Sequence, residues 1–219
     1  MPISDTAKST RSRLLIATEF LFAKHGFAGL TMRDIAQSAS ANVASAHYHF
    51  GSKEGIVLEM LSRRIEPVNA DRMKRLQEAR KLAGNSPLDT KVIFSALILP
   101  IGEAILSNTS SQSIITQLVA RSFSEPIEFI QKMHRRFYGE LSYAYVEELK
   151  LTYPKTSEHE IYWHFHLAIS AMLGALAQHR RLRDFSDGKC DGEDIEGMIS
   201  RLVHFVSNGF DAGIRIKRT

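Results

Sequence analysis

Three observations predict an all-α fold for this 219-residue chain. Apolar residues recur at the helical period along nearly all of it, and no stretch alternates as a half-buried strand does. The periodic segments are divided by short turn-rich separators such as SNTSSQ, TYPKTS and DFSDGKCDGED. Helices with short connections and no strands pack as helix on helix, here about nine of them.

Residues 1–10 are expected to form a disordered polar arm, followed by a first helix at about 12–25. Leu14, Ala17, Thr18, Leu21 and Phe22 share one face of it, Gly26 ends it, and Phe27 is placed to fold back onto it. In the second helix Thr31 can cap the first turn, Asp34 completes a capping box, and Leu30 can staple onto Ile35. That helix ends near Ala39. A third opens at about Asn42, a good N-cap, and stops near Phe50 and Gly51. A fourth begins at Ser52 and runs through Leu58, Leu61 and Ile65. Pro67 is expected to kink or break it, with a charged helix continuing to about Leu82. Further helices are expected at about 88–107, 112–123, 126–151, 157–183 and 191–215. The boundary between the small N-terminal unit (8–66) and a larger one (67–219) is set near Glu66 and Pro67, because three short helices bury little apolar area alone.

Composition is ordinary for a globular protein, with 44% hydrophobic and 24% charged residues. No apolar run reaches the ~20 residues of a membrane span, and residues 92–106 are interrupted by Pro100 and Glu103. The polar start is unlike a secretory signal, and the single Cys190 suits a reducing compartment, so a cytoplasmic location without membrane contact is expected. Residues 1–83 hold 13 Lys and Arg against 8 Asp and Glu, a balance of +5, whereas residues 84–219 balance to −1. The basic excess favours a polyanionic partner for the N-terminal end.

Nothing points to catalysis. There is no nucleophile elbow, no phosphate-cradling glycine loop and no supported Cys/His pair, and Cys190 lies in an acidic loop that disfavours its thiolate. His159, His164 and His166 do not converge, since only 159 and 166 share a helix face, so neither a metal nor a cofactor is expected.

Residues 31–53, TMRDIAQSASANVASAHYHFGSK, carry the most chemistry. Two short capped helices joined by a tight turn make a helix-turn-helix, whose second helix can enter the major groove. Its early residues Asn42, Val43, Ala44 and Ser45 are expected to face base edges: Asn can read adenine bidentately, and small neighbours permit close approach. Tyr48 and His49 are placed to reach phosphates, which fixes register rather than sequence, and His47 is a further DNA-binding candidate. Lys53 stands in the first turn of the fourth helix, where the dipole disfavours a cation unless a phosphate docks there. Arg33 at the start of the second helix follows the same logic, Thr31 beside it is a further DNA-binding candidate, and Lys8, Arg11 and Arg13 of the arm could add contacts. Phe50 is expected to cement the third helix onto the first and fourth.

These residues resemble the DNA-binding domain of the TetR family of transcriptional regulators over about residues 10–65. The resemblance rests on Leu21-Phe22-Ala23 before Gly26-Phe27, on Thr31-Met32-Arg33-Asp34-Ile35-Ala36, and on Tyr48-His49-Phe50-Gly51-Ser52-Lys53-Glu54. The family's turn is usually Ala-Gly-Val. Here it is Ala39-Ser40-Ala41, and Ser40 lacks glycine's freedom at positive φ. The resemblance implies a homodimeric repressor on a palindromic double-stranded operator, with Arg33 and residues 42–49 on DNA and Lys53 on a phosphate. It also implies a C-terminal effector-binding and dimerisation domain, and release from DNA by a pendulum movement of the fourth helix. Two stretches, residues 42–50 and 160–166, resemble a fatty-acid-responsive branch, which implies a fatty acyl effector.

In the larger unit, Phe94, Leu97, Ile98, Met133 and Phe137 are expected to line a pocket for a small apolar or amphipathic effector, with Arg121 and Trp163 orienting a head group. The last two helices are expected to form the dimer seam. Small residues Ala168, Ala171 and Ala175 on one face Ile199, Leu202, Phe205 and Val206 on the other, and two helices from each chain make a four-helix bundle. The competing readings are a ligand-activated regulator of the same fold and an all-helical small-molecule-binding protein without DNA function. Affinity for DNA that falls steeply with salt separates the last from the others.

Overall fold

The computed structural model describes residues 9–107 and 125–215. The expected helix at 112–123 and Arg121 lie outside the described residues. Ten helices are described, in the order α1 (Thr10–His25), α2 (Met32–Ser38), α3 (Val43–Phe50), α4 (Lys53–Ala83), α5 (Thr90–Leu106), α6 (Ile127–Phe137), α7 (Gly139–Thr152), α8 (Glu158–Gln178), α9 (Arg181–Phe185) and α10 (Ile195–Arg215). No helix among the described residues is long and apolar enough to cross a membrane.

The break expected at Pro67 does not occur, and α4 runs unbroken for 31 residues, about 46 Å at 1.5 Å per residue. The reason lies in orientation. Pro67 sits on the exposed side of α4, with Arg63 one turn before it also exposed, so the carbonyl that loses its N–H partner faces water.

Two apolar clusters lie along α4. The first joins Leu14, Phe22, Ile35, Ala46, Ile56, Val57 and Leu61 with Phe129 and Phe137 of α6. The second joins Leu76 to residues of α5, α7, α8 and α10, including Phe94, Ile98, Tyr145, Leu149, Phe165, Met172, Ile199 and Phe210. The changeover falls between Ile65, against the first cluster, and Val68, against the second. α5 and α10 cross closely: a Cβ on Gly102 would lie 2.7 Å from Ile199 Cγ1, so a side chain there forces the helices apart.

Two expected helices are each divided. The segment 126–151 is split at Tyr138 into α6 and α7, where glycine follows and the Asn69 amide donates to the Phe137 carbonyl at 2.7 Å, replacing an intrahelical bond. The segment 157–183 stops at Gln178 and resumes as the short α9. There His179 Nδ1 meets the Gly192 carbonyl at 2.7 Å, which ties the loop back to the helix end.

Candidate nucleic-acid interface

The reading unit is built by local caps. Thr31 Oγ1 accepts from the Asp34 amide at 3.1 Å and donates to the Asp34 carboxylate at 2.5 Å. Asn42 Oδ1 accepts from the Ala44 amide at 2.8 Å, and Ser52 Oγ from the Gly55 amide at 3.0 Å. Between α2 and α3, Ser40 takes φ +49°, so a serine occupies the left-handed conformation that glycine would fill at lower cost. This places α3 across α2 and fixes its orientation.

Only Ala46 of α3 is fully buried, while Val43 and Phe50 lean onto the N-terminal cluster. These three lie at i, i+3 and i+7, so the opposite face points to solvent. On that face stand Ala44, His47, Tyr48 and His49, with Tyr48 86% exposed. Thr31 and Arg33 are exposed on the neighbouring edge of α2, and no carboxylate among the described residues pairs with Arg33. Hydroxyl, imidazole and guanidinium groups thus share one outward surface without an apolar neighbour to cover it.

Several expectations need correction. Val43 faces inward and Ser45 is half-buried, whereas Ala44, His47 and Tyr48 are exposed. Asn42 spends its side-chain oxygen on the helix cap, which leaves no bidentate fork for adenine while the cap holds. Arg11 belongs to the fold: it pairs with Glu59 at 2.6 Å and lies 5.3 Å from the Phe50 ring centroid. Phe27 stacks on Phe129 of α6, at 4.2 Å between centroids, instead of relying on α1 alone.

Lys53 is neither a free cation nor a simple solvated lysine. Its ammonium donates to the Phe27 carbonyl at 3.0 Å and lies 4.3 Å from the Phe27 ring centroid. The same corner receives two contacts from the α6 region: the Phe27 amide donates to Glu125 at 3.0 Å, and Lys132 pairs with Glu54 at 2.7 Å. Arg64 grips Glu19 through two bonds of 2.5 and 3.0 Å, fastening α1 to α4. The reading unit is therefore held from two sides, by α4 and by α6.

Among the described residues, the expected effector residues fall into different clusters. Phe94, Leu97 and Ile98 are buried in the C-terminal cluster, whereas Phe137 is buried in the N-terminal one and Met133 packs against it. Trp163 is half exposed on α8, its indole N–H bonded to His159 at 3.1 Å. Concavities among the described residues border the larger unit. One of about 440 Å3 lies between α5 and α10, lined by Lys91, Leu99, Glu103, Ile199 and His204 among others, and by none of the residues expected to bind an effector. Another, of about 300 Å3, lies between α4, α6 and α7, and Phe137 lines it.

The expected dimer residues also divide. Ala168, Ile199, Leu202 and Val206 are buried within the chain's own core, and Ala171 and Ala175 pack against it. Phe205 alone of the set stands fully outward, and the outward face of α8 carries Tyr162, Trp163 and Leu167 instead. An apolar stripe on a terminal helix is as well satisfied by its own chain as by a second copy, and the intrachain core took most of it.

One residue of interest escaped the sequence reading. Arg72 is 4% exposed on α4. The signal was present: Ile65, Val68, Arg72, Leu76 and Ala79 fall at helical spacing on one face, and a cation on an apolar row is out of place.

Comparison with known proteins bears on both units. Residues 14–60 match the family model for bacterial regulatory proteins of the tetR family, and residues 95–209 match that for the tetracyclin repressor-like C-terminal domain. The HTH-type transcriptional repressor KstR2 of Rhodococcus jostii is 29% identical over 142 residues, covering 62% of this chain and 64% of that protein. The probable HTH-type transcriptional regulator YttP of Bacillus subtilis is 37% identical over 54 residues, 25% of this chain and 26% of the relative. The matched stretches thus span less than two thirds of either relative. Among solved structures, the fatty acid degradation regulator FadR from Bacillus halodurans superposes with a TM-score of 0.61 at 12% identity, over 94% of this chain and 98% of that one. NalD of Pseudomonas aeruginosa superposes with a TM-score of 0.59 at 20% identity, over 89% and 95%. With one family model on the reading unit and the other on more than half of the chain, the protein belongs to the TetR family of bacterial regulatory proteins.

Proposed function

We propose that the protein is a transcriptional repressor that binds a palindromic operator as a homodimer in the cytoplasm and leaves it when a small apolar or amphipathic effector binds the larger unit. The observation that carries this reading is the outward face of α3. Ala44, His47 and Tyr48, flanked by Arg33, form a surface the chain itself leaves uncovered, held rigidly by three capped helix starts. Such a surface fits a major groove, with small side chains at base edges and polar tips at phosphates. Lys53 contributes by holding the Phe27 corner, and the amides at the start of α4 remain candidates for a phosphate.

The homodimer reading draws on the apolar residues left outside. Tyr162, Trp163 and Leu167 of α8 and Phe205 of α10 are large and exposed. α8 and α10 run antiparallel, since His164 packs on Phe210 and Gly213 while His179 reaches Gly192. A twofold pairing on these faces gives a four-helix interface and spaces two α3 helices for a palindrome.

Selection of bound sequences from a random duplex library, followed by titration at several salt concentrations, tests the reading. A palindromic consensus and affinity that falls steeply with salt are expected. Absence of any enriched sequence overturns it.

A further inference from the structure

Arg72 is the only charged side chain that is buried among the described residues. Its acceptors are all neutral: Nε donates to the Leu97 carbonyl at 2.8 Å, Nη1 to Asn69 Oδ1 at 3.1 Å, and Nη2 approaches Met172 Sδ at 3.9 Å. Asp71, next in sequence, pairs with Arg75 at 3.0 Å. No carboxylate among the described residues pairs with Arg72, and residues 108–124 contain neither Asp nor Glu. Burial pushes the guanidinium below its ordinary pKa, yet arginine does not give up its proton in proteins. A buried cation with neutral partners is costly to keep, so an anion that reaches it binds strongly.

A single side chain, Asn69, links Arg72 to a groove at the surface. The groove of about 300 Å3 between α4, α6 and α7 is lined by Asn69, Met73, Arg135, Arg136, Glu140 and Leu141, with two arginines against one acid. Asn69 stands between groove and guanidinium: its oxygen accepts from Arg72 while its amide nitrogen holds the Phe137 carbonyl. Tyr138 and Tyr145 lie close to Arg72, and burial raises both phenols above their ordinary pKa, so both stay neutral hydroxyls at pH 7.

We infer that this groove is an effector site for an amphipathic organic anion, a carboxylate or phosphate monoester on an apolar tail, whose head displaces Asn69 to meet Arg72. Arg135 and Arg136 draw the head in, and Met73 and Leu141 take the tail. The inference deepens the effector reading above and rests on it. It also supplies a link to DNA. Asn69 must release the Phe137 carbonyl at the junction of α6 and α7, and Phe137 is part of the core of the reading unit. Head-group binding at Arg72 therefore loosens the second of the two grips on that unit.

The test is calorimetric titration of the full chain with decanoate, decyl phosphate and 1-decanol, three probes with matched tails. One saturable site per chain for an anion, about tenfold or more tighter than for the alcohol, is expected from a charge-assisted contact. The ranking of the two anions separates a carboxylate from a phosphate source. Arg72→Met should bring the anion down to the affinity of the alcohol, and the surface double variant Arg135→Ala/Arg136→Ala should weaken it several-fold. Equal binding of alcohol and anions, no saturable anion binding, or an unchanged anion preference in Arg72→Met overturns the inference. Should Arg72→Met fail to fold by circular dichroism, Asn69→Ala and the double variant decide, and unaltered anion affinity in both overturns it. Operator affinity measured without probes keeps the two readings apart. DNA binding with indifference to the anions sinks only the inference, and anion binding through Arg72 without DNA binding sinks only the repressor reading.

Discussion

α3 and α10 each hold out one large aromatic, and the difference between their surroundings is instructive. Tyr48 is 86% exposed on a helix that buries only Ala46, and its neighbours are imidazoles and a polar cap. Phe205 is 71% exposed on a helix with seven buried residues, and the helix beside it exposes Tyr162, Trp163 and Leu167. A phenol among polar groups suits a surface of phosphates and bases, where its hydroxyl is used. A phenyl beside other apolar side chains gains only by excluding water, which another apolar face does best. Two exposed aromatics therefore suit two different kinds of surface, and chemistry rather than accessibility separates them.

The largest break in this contrast comes from the one buried residue of α3. Ala46→Asp should destabilise the reading unit by several kcal/mol, because an ionised carboxylate is forced into an apolar site, and urea denaturation monitored by circular dichroism reads the loss. Next, Phe205→Glu should weaken self-association by about a hundredfold, if a central apolar anchor is worth roughly 2–3 kcal/mol, while the thermal midpoint of the monomer barely moves. Sedimentation over a concentration series checks it, and an unchanged dimer would remove α10 from the interface. Tyr48→Ala should lower operator affinity about tenfold on every sequence with stability altered by under about 0.5 kcal/mol, since the ring touches little of its own chain.

Smaller effects sharpen the account of the caps. Asn42→Ala should cost about 1 kcal/mol of stability through the lost cap, with DNA affinity falling equally on all operator variants. A shift in base preference would restore direct readout by Asn42. Ser40→Gly should stabilise by roughly 0.5–1 kcal/mol, as relief of the left-handed conformation outweighs glycine's extra unfolded-state entropy. Chemical denaturation of the pair measures the difference, and a loss of stability would mean that the serine side chain contributes to the turn.

How much of this was legible depends on the range of each interaction. Thr31, Asn42 and Ser52 could be recognised as caps because a cap and its amide lie two or three residues apart. The outward side of α3 was only partly legible. Its inner side is set by Val43, Ala46 and Phe50 meeting residues far off in sequence, so local spacing does not reveal the face that Val43 takes. Phe137 and Met133 were grouped with Phe94 because all are large and apolar. Nothing local reveals that α6 folds back to join the core around Phe22 and Phe129 while α5 packs under α10. The same applies to Ile199, Leu202 and Val206, whose stripe could equally face a sibling chain.

Most helix positions, the caps and the tight turn follow from short-range rules of hydrogen bonding and periodicity, and the sequence by itself determined them. The continuous course of α4 past Pro67, the division of apolar residues between two cores, and the enclosure of Arg72 without an acid partner among the described residues were decided only by tertiary structure. The physical reason is that burial is a property of where segments meet. A helical stripe states that a face will leave water, but the partner that covers it is chosen by packing across the whole chain.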